Sequence, residues 1–327
     1  MSSAKLSMHR VAEGEDWDAL VRRSPQGTLF SERAYLQWTG HKHHLWWVRQ
    51  GTELKAGVCL VVSDDERRCE LDDLVIYGGL LFNTDPKRQL VKRRHDEFQI
   101  AEFVAEQLAI HYESLEIPLS PQFTDLRPFQ WYRYHDAPEH QYALHLRYTS
   151  YLEIGGLREW CGNEEDSPFF AEMETVRRYS VREAAKKGGS VDRCTDSRLL
   201  LSFYQNLMER QGEHQSAGKI AAMKGVMDGL LGAGRGALFH VLDTHGRVLY
   251  AVMYGWDEKR AYYLFGAGNT EVSTPWQGTL AHWEAFKYLA QTCALTEIDL
   301  EGVNSPQRGW FKLGFGGDLR PYYYARK

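Results

Sequence analysis

The stretch AYYLFGAGNTEVSTPWQG, residues 261–278, decides the fold, because it predicts a strand that leads directly into a helix. The apolar run at residues 261–267 is typical of a buried strand. Thr274 suits a helix N-cap, Pro275 suits the first helical position, and Gln277 completes a capping box with Thr274. Apolar residues then recur at helical spacing, at Trp276, Leu280, Trp283, Phe286 and Ala290. We therefore expect a helix that buries one face.

The residues on either side extend this pattern into a sheet. Two strands are predicted upstream, at residues 237–242 and 248–256, joined by a tight turn. Downstream, residues 297–301 alternate, with Ile298 and Leu300 on one side and three carboxylates on the other. Residues 309–317 are glycine-rich and predict a hairpin that leads into a strand at 319–325. The free N–H groups at the start of the central helix would form an anion site, which suits the pyrophosphate of an acyl carrier.

The first half of the chain repeats this order. Three strand-like runs, at residues 45–49, 56–63 and 71–82, form a predicted meander, followed by a helix at 93–112 and a strand at 114–119. A chain of 327 residues also exceeds the usual size of a single core. We therefore predict two domains, 1–150 and 151–327, each a mostly antiparallel sheet flanked by helices, in the α+β class.

The composition of the chain argues against several classes of protein. The net charge of −5 argues against a broad DNA-binding surface. The five cysteines are an odd number without a C-x-x-C pair, as expected of reduced thiols in the cytoplasm. No run of apolar residues has the length of a membrane span, and His41, His43 and His44 have no acidic or cysteine neighbour that would complete a metal site. The sequence predicts a cytoplasmic protein without a metal and leaves its oligomeric state open.

Three motifs resemble the FemAB-type branch of the GNAT acyltransferase superfamily, whose members carry two GNAT-like halves. They are Phe311-Lys312-x-x-Phe315-Gly316, the preceding Asp299-Leu-Glu-Gly302, and Arg177-Arg178-x-x-x-Arg182 with Ala184 and Lys186 beyond. The resemblance implies an acyl carrier beside the helix near Pro275, with no permanently bound cofactor. It implies that the donor contacts Gly268, Ser273, Thr274, Trp276 and Gln277. Residues 266–274 only approximate the usual pyrophosphate loop, so the donor's identity stays open.

Acyl transfer to an amine needs a base and a positive group for the oxyanion. Asp299 and Glu301 share one face of the predicted strand, where mutual repulsion would raise a carboxyl pKa toward that of a useful base; a solvated strand face is the alternative. Lys312 would hold the oxyanion, as the resemblance also implies; the alternative is a surface lysine that covers the hairpin.

Six further residues are candidates for binding the acceptor. The resemblance implies that Arg178 and Arg182 hold a phosphate and that Phe311 lies in the substrate site. In residues 121–142, aromatic and basic side chains such as Trp131 and His135 suit stacking on a base; the alternative is a long connector whose aromatic side chains pack under the sheet. Tyr77, beside Gly78 and Gly79, marks either a substrate cleft or a packing bulge.

We therefore predict an N-acyltransferase that moves an acyl group from a coenzyme A thioester to a primary amine, preferably of a nucleotide-linked amino sugar. One alternative is an aminoacyl-tRNA-dependent transferase that acts on a peptidoglycan precursor or an antibiotic peptide. The other is a non-catalytic GNAT-fold binding module.

Overall fold

The computed structural model describes residues 5–327 and divides the chain into two compact units. One unit comprises residues 5–147 together with 321–327, and the other comprises residues 148–320. Each unit combines helices with a mostly antiparallel sheet, so the predicted α+β class is confirmed. Short 3-10 helices complete the described elements, at Leu29–Ser31, Pro138–His140, Gly155–Leu157 and Glu164–Asp166.

The first unit is built on an antiparallel sheet with the strand order β1-β2-β3-β4. Its strands are β1 Leu6–Arg10, β2 His43–Gln50, β3 Glu53–Val61, β4 Gly79–Phe82 and the separate β5 Glu116–Pro118. Its helices are α1 Trp17–Arg23, α2 Arg33–Thr39, α3 Leu90–His111 and α4 Arg127–Trp131. Apolar residues of α3, including Val104 and Leu108, are fully buried in a core shared with the sheet.

The third predicted strand of the first half is shorter than expected. Only Gly79–Phe82 pairs as a strand, because the Asp72 carboxylate accepts a hydrogen bond from the Leu74 N–H and closes a local turn. Tyr77 is fully buried, with edge-to-face ring contacts to Phe30 and Tyr322. Its packing matches the bulge alternative, and in this conformation the side chain is not accessible to a ligand.

The second unit is built on strands hydrogen-bonded in the order β6-β11-β10-β9-β8-β7. Its strands are β6 Ala143–Glu153, which enters this unit at residue 148, β7 Ser190–Cys194, β8 Gly236–Leu242, β9 Val248–Trp256, β10 Ala261–Gly268 and β11 Glu297–Asp299. Its helices are α5 Pro168–Glu172, α6 Thr175–Lys186, α7 Arg198–Arg210, α8 Ala217–Gly232, α9 Gln277–Gln291 and α10 Pro306–Leu313. The last strand, β12 Asp318–Arg326, pairs with β5 through Tyr324, Ala325 and Arg326.

Helix α9 supplies much of the core of the second unit. Trp283, Phe286 and Leu289 are fully buried, and α9 packs against β8 and β9. Burying side chains of this size contributes about 1.5–3 kcal/mol each. The helix begins at Gln277, three residues later than Thr274, the predicted N-cap. The Gln277 carboxamide still accepts the Thr274 N–H at 2.9 Å, so half of the predicted capping box forms.

The predicted hairpin at residues 309–317 is wrong, because most of this segment is helix α10. Pro306 occupies the first turn, Ser305 precedes it, and the helix ends at Gly314. Gly309 is required inside the helix by packing: a Cβ there would stand 2.6 Å from the Val303 carbonyl oxygen. The helix carries Phe311 and Lys312 on its last turn, so it fixes their direction more firmly than a hairpin would.

Candidate active site

Strands β10 and β11 diverge after a short parallel contact. Only Ala261 with Ile298 and Tyr262 with Asp299 are in register, and β11 then ends while β10 continues to Gly268. A bulge between Tyr263 and Phe265 breaks the register of β10 with β9 at the same point. Bulges re-aim side chains and are frequent beside active sites. The divergence leaves the β11 side of β10 open from Tyr263 onward.

A cavity of about 390 Å³ lies at this divergence. Three chain segments of the second unit form its walls: helix α7, strands β9 and β10, and residues 301–312. The lining residues are Tyr204, Leu207, Met208, Tyr250, Tyr263, Leu264, Phe265, Gly266, Ala267, Gly268, Glu301, Gln307, Arg308, Phe311 and Lys312. Helix α9 begins nearby, since a Cβ at Gly268 would be 2.9 Å from the Gln277 amide nitrogen.

Glu301 is the buried carboxylate of this cavity. Its backbone φ is 57°, a left-handed conformation that few residues other than glycine adopt, so the chain turns where the alternating pattern predicted a strand. The residue is 8% exposed, and its Oε1 has no hydrogen-bond partner within residues 5–327. Burial raises the pKa of this carboxyl well above its ordinary value and Asp299 adds to the shift, while Lys312 opposes it.

Asp299 holds the Glu301 backbone in place and does not line the cavity. Its Oδ1 accepts the Glu301 N–H at 2.7 Å and also the Thr149 hydroxyl. Glu297, the third carboxylate of the predicted face, pairs with Arg260 at 2.8 Å. The solvated-face alternative does not describe Asp299 and Glu301, because both are buried.

Lys312 extends from the last turn of α10 into the same cavity. Its Nζ donates a hydrogen bond to the Gly302 carbonyl at 3.1 Å and lies 4.9 Å from the centre of the Tyr263 ring. Burial lowers the pKa of this amine to about 8, against the opposing pull of the Glu301 and Asp299 carboxylates. At neutral pH the amine is still mostly protonated, and it loses its charge just above that pH.

A buried tyrosine–histidine pair, which we did not predict from the sequence, lies next to these groups. The His282 Nδ1 shares a hydrogen bond with the Tyr254 hydroxyl, and the His282 ring is 5.4 Å from the ring of Phe311. Burial, reinforced by Lys312 and Arg177, lowers the pKa of His282 to about 3, so the imidazole stays neutral. A histidine among the apolar residues of a helix face is the signal that would have pointed to it.

Of the five predicted donor contacts, the structure brings Gly268 to the wall of this cavity. Trp276 is instead a core residue, since it is 6% exposed and packs so closely on Gly189 that a Cβ there would be 2.7 Å from its ring. Ser273 is exposed, and Thr274 and Gln277 bond to each other at the start of α9. These four residues are not among those that line the cavity.

Among the predicted acceptor contacts, Phe311 lines the cavity, and the Arg177 guanidinium lies 4.4 Å from its ring centre. Arg182 on α6 is occupied by a two-pronged ion pair with Glu165, at 2.5 and 2.6 Å. Arg178 donates to the Thr175 hydroxyl at 3.2 Å and is partly exposed. Neither Arg178 nor Arg182 is among the residues that line the cavity.

The remaining two candidates, Trp131 and His135, belong to the first unit. Trp131 is 51% exposed, with its ring against Phe98 and under the Arg127 guanidinium. His135 is exposed and contacts the Tyr134 ring. Their accessible rings leave the stacking hypothesis open, and it stays a prediction.

Among the residues that the structure describes, the histidines and acidic residues do not form a metal site. Within residues 5–327, no cluster of three or more histidine, cysteine, aspartate or glutamate side chains has the geometry to hold a metal ion. His44 bonds to the Tyr112 hydroxyl and to Glu66 instead. In the same described range, every helix is too short or too polar to cross a membrane.

Comparison with solved structures shows the fold of the whole chain. FemX aligns over 97% of this chain and 96% of its own, with a TM-score of 0.60 and 15% identity. A tandem GNAT protein from the clavulanic acid biosynthesis pathway, solved without AcCoA, aligns over 99% and 98%, with a TM-score of 0.56 and 12% identity. The C-terminal domain of a putative lysylphosphatidylglycerol synthetase from Agrobacterium fabrum aligns over 94% and 92%, with a TM-score of 0.54 and 11% identity.

No protein-family profile matches the sequence, and no curated protein matches it either. At these identities the similarity establishes the fold, which is that of tandem GNAT-like proteins, as the sequence predicted.

Proposed function

We propose that this protein is an N-acyltransferase whose second unit brings an acyl thioester and a primary amine together in the cavity between α7, β10 and α10. The observation that carries the proposal is the placement of Glu301 and Lys312. Both line the cavity that opens where β10 and β11 diverge, and both have a pKa shifted toward neutrality by burial. Opposed shifts of this kind are typical of acid and base groups at active sites.

Glu301 would act as the base. A buried carboxylate with a raised pKa accepts a proton from an attacking ammonium or amine near neutral pH, where an ordinary glutamate is too weak a base. Its Oε1 is available for this bond, since no group in the described part of the chain occupies it. The hydrogen bond from its N–H to Asp299 fixes the turn that carries it.

Lys312 would stabilise the oxyanion that forms at the thioester carbonyl. The lysine is partly buried, and a positive group interacts more strongly in such surroundings than in bulk solvent. The amine nitrogen attacks the carbonyl carbon and its proton passes to Glu301. The carbon–sulfur bond then breaks and the carrier leaves as a thiolate.

For the donor we favour a coenzyme A thioester, and for the acceptor an amino sugar linked to a nucleotide. The support for the acceptor is chemical. Arg177 is half-buried against Phe311, which lines the cavity, and its Nε has no hydrogen-bond partner in the described range. Guanidinium groups suit phosphate recognition.

The experiment combines ligand binding with turnover. Acetyl coenzyme A and longer acyl coenzyme A esters are added at up to millimolar concentration while the melting temperature is recorded, and product is measured with amino-sugar nucleotides. A rise in the melting temperature, with acylated product, supports the proposal. If the protein transfers an acyl group from aminoacyl-tRNA and not from thioesters, the aminoacyl-tRNA alternative replaces the coenzyme A proposal. If neither donor reacts, the chain is a binding module.

A further inference from the structure

One side of the cavity is formed entirely by apolar and aromatic side chains. Tyr204, Leu207 and Met208 of α7 line it at positions i, i+3 and i+4, which lie on one helix face. Leu264 and Phe265, at the bulge of β10, line it as well. Met208 is 5% exposed, and Leu207 is partly buried.

The charged and amide groups of the cavity come from a different segment, and the hydroxyls of Tyr204, Tyr250 and Tyr263 are the polar side-chain groups outside it. Glu301, Gln307, Arg308 and Lys312 are its charged and amide side chains, and all four come from residues 301–312. Helix α7 and strand β10 contribute no charge to the lining. A ligand that fills this cavity therefore meets charged groups along residues 301–312 and an uncharged, mostly apolar wall along α7.

Gly266 of β10 makes room for two tyrosine side chains of the cavity wall. A Cβ at Gly266 would lie 2.5 Å from the Tyr263 hydroxyl and 2.7 Å from the Tyr250 hydroxyl. Glycine inside a strand often marks the close approach of another group, which here is the pair of tyrosine side chains. An acetyl group fills only a small part of about 390 Å³, and it would leave the α7 side unoccupied.

We propose that the transferred acyl group is an apolar chain longer than acetyl, which packs against Leu207 and Met208 while its carbonyl carbon faces Glu301 and Lys312. This inference rests on the proposed acyltransferase function and adds the substrate class. It follows from the separation of polar and apolar lining within one cavity.

The test uses non-hydrolysable thioether analogues of acetyl, butyryl, hexanoyl and octanoyl coenzyme A, with affinities measured by calorimetry. Each methylene that becomes buried should tighten the dissociation constant by about fourfold, until the cavity is full. Met208→Trp fills the apolar side and should abolish the gain beyond butyryl. Leu207→Gln keeps the volume but makes the wall polar, and it should reduce the gain per methylene. Asn206→Trp adds the same ring as Met208→Trp at an exposed position on α7 and is the matched control.

The outcomes separate the inference from the function on which it rests. If every analogue binds equally well, or acetyl binds best, the inference is wrong and the acyltransferase proposal stands. If no analogue binds, the coenzyme A donor itself is wrong. If Met208→Trp is unfolded by circular dichroism, Leu207→Gln decides: an unchanged gain per methylene in that variant overturns the inference.

Discussion

Replacing Glu301 by glutamine tests the proposed base. The substitution keeps the size of the side chain and removes its ability to take a proton. Because general-base catalysis contributes about 10²–10⁴-fold to rates, kcat/KM should fall by that factor, equivalent to about 3–5 kcal/mol in the barrier. Glu258→Gln removes a carboxylate from an exposed position of the same unit and should leave kcat/KM unchanged.

The pH dependence gives a second, independent readout. In the wild-type protein, kcat/KM should rise with pH as Glu301 loses its proton, at a pH above the ordinary value for glutamate, and should fall again near pH 8 as Lys312 loses its charge. Glu301→Gln should lose the rising limb and keep the falling limb. Initial rates from pH 5 to 9, with thiol release as the signal, measure both.

Unfolding provides the thermodynamic counterpart. The folded state holds the Glu301 proton more tightly than the unfolded state does. The protonated carboxyl therefore stabilises the fold fully at pH values below the pKa of this group in the unfolded chain, about 4.5. That stability is lost as pH rises through the raised folded pKa. In urea unfolding, the free energy of unfolding of Glu301→Gln should fall less with rising pH than that of the wild type. A variant with normal kcat/KM and an intact rising limb would refute the assignment of Glu301 as the base.

Three further substitutions test other parts of the site. Lys312→Met should lower kcat at least tenfold and remove the falling limb near pH 8, as a pH-rate profile would show; unchanged turnover would exclude the lysine from the mechanism. Gly266→Ala places a Cβ 2.5 Å from the Tyr263 hydroxyl, so it should lower the free energy of unfolding in urea by about 1–3 kcal/mol and weaken thioester binding. Wild-type affinity for the thioester would contradict the placement of the ligand. Trp283→Ala should cost about 3–5 kcal/mol in the same unfolding assay, because its ring is fully buried, and a smaller loss would mean that α9 is not the core of its unit.

The local patterns of the sequence predicted the parts of the fold that depend on neighbouring residues. β10 and α9 follow from an apolar run and from helical spacing, and both are present close to the predicted bounds. Helix α10 was missed because Gly309 and Gly314 suggested a turn. Gly309 is explained only by its close approach to Val303, a tertiary contact that no helix propensity records.

The site was only partly predictable for the same reason. Lys312 and Glu301 were both predicted from the sequence as catalytic candidates, and the structure places them in the lining of one cavity. The left-handed turn at Glu301, which follows the end of β11 at Asp299, was not predicted. His282 on α9 was missed because its partner Tyr254 lies on strand β9, distant from it in the sequence. Trp276 was predicted to contact the acyl donor. Its ring instead packs in the core, in space that is available because Gly189 has no side chain.

The most direct test of the central claim is a crystal structure with a 2-oxoalkyl thioether of coenzyme A, which keeps a carbonyl but has no acyl–sulfur bond to cleave. The account predicts electron density for the acyl end in the cavity between α7, β10 and α10, with the carbonyl within hydrogen-bonding reach of Lys312 and the apolar chain against Met208. Density for the analogue elsewhere, with this cavity empty, would contradict it.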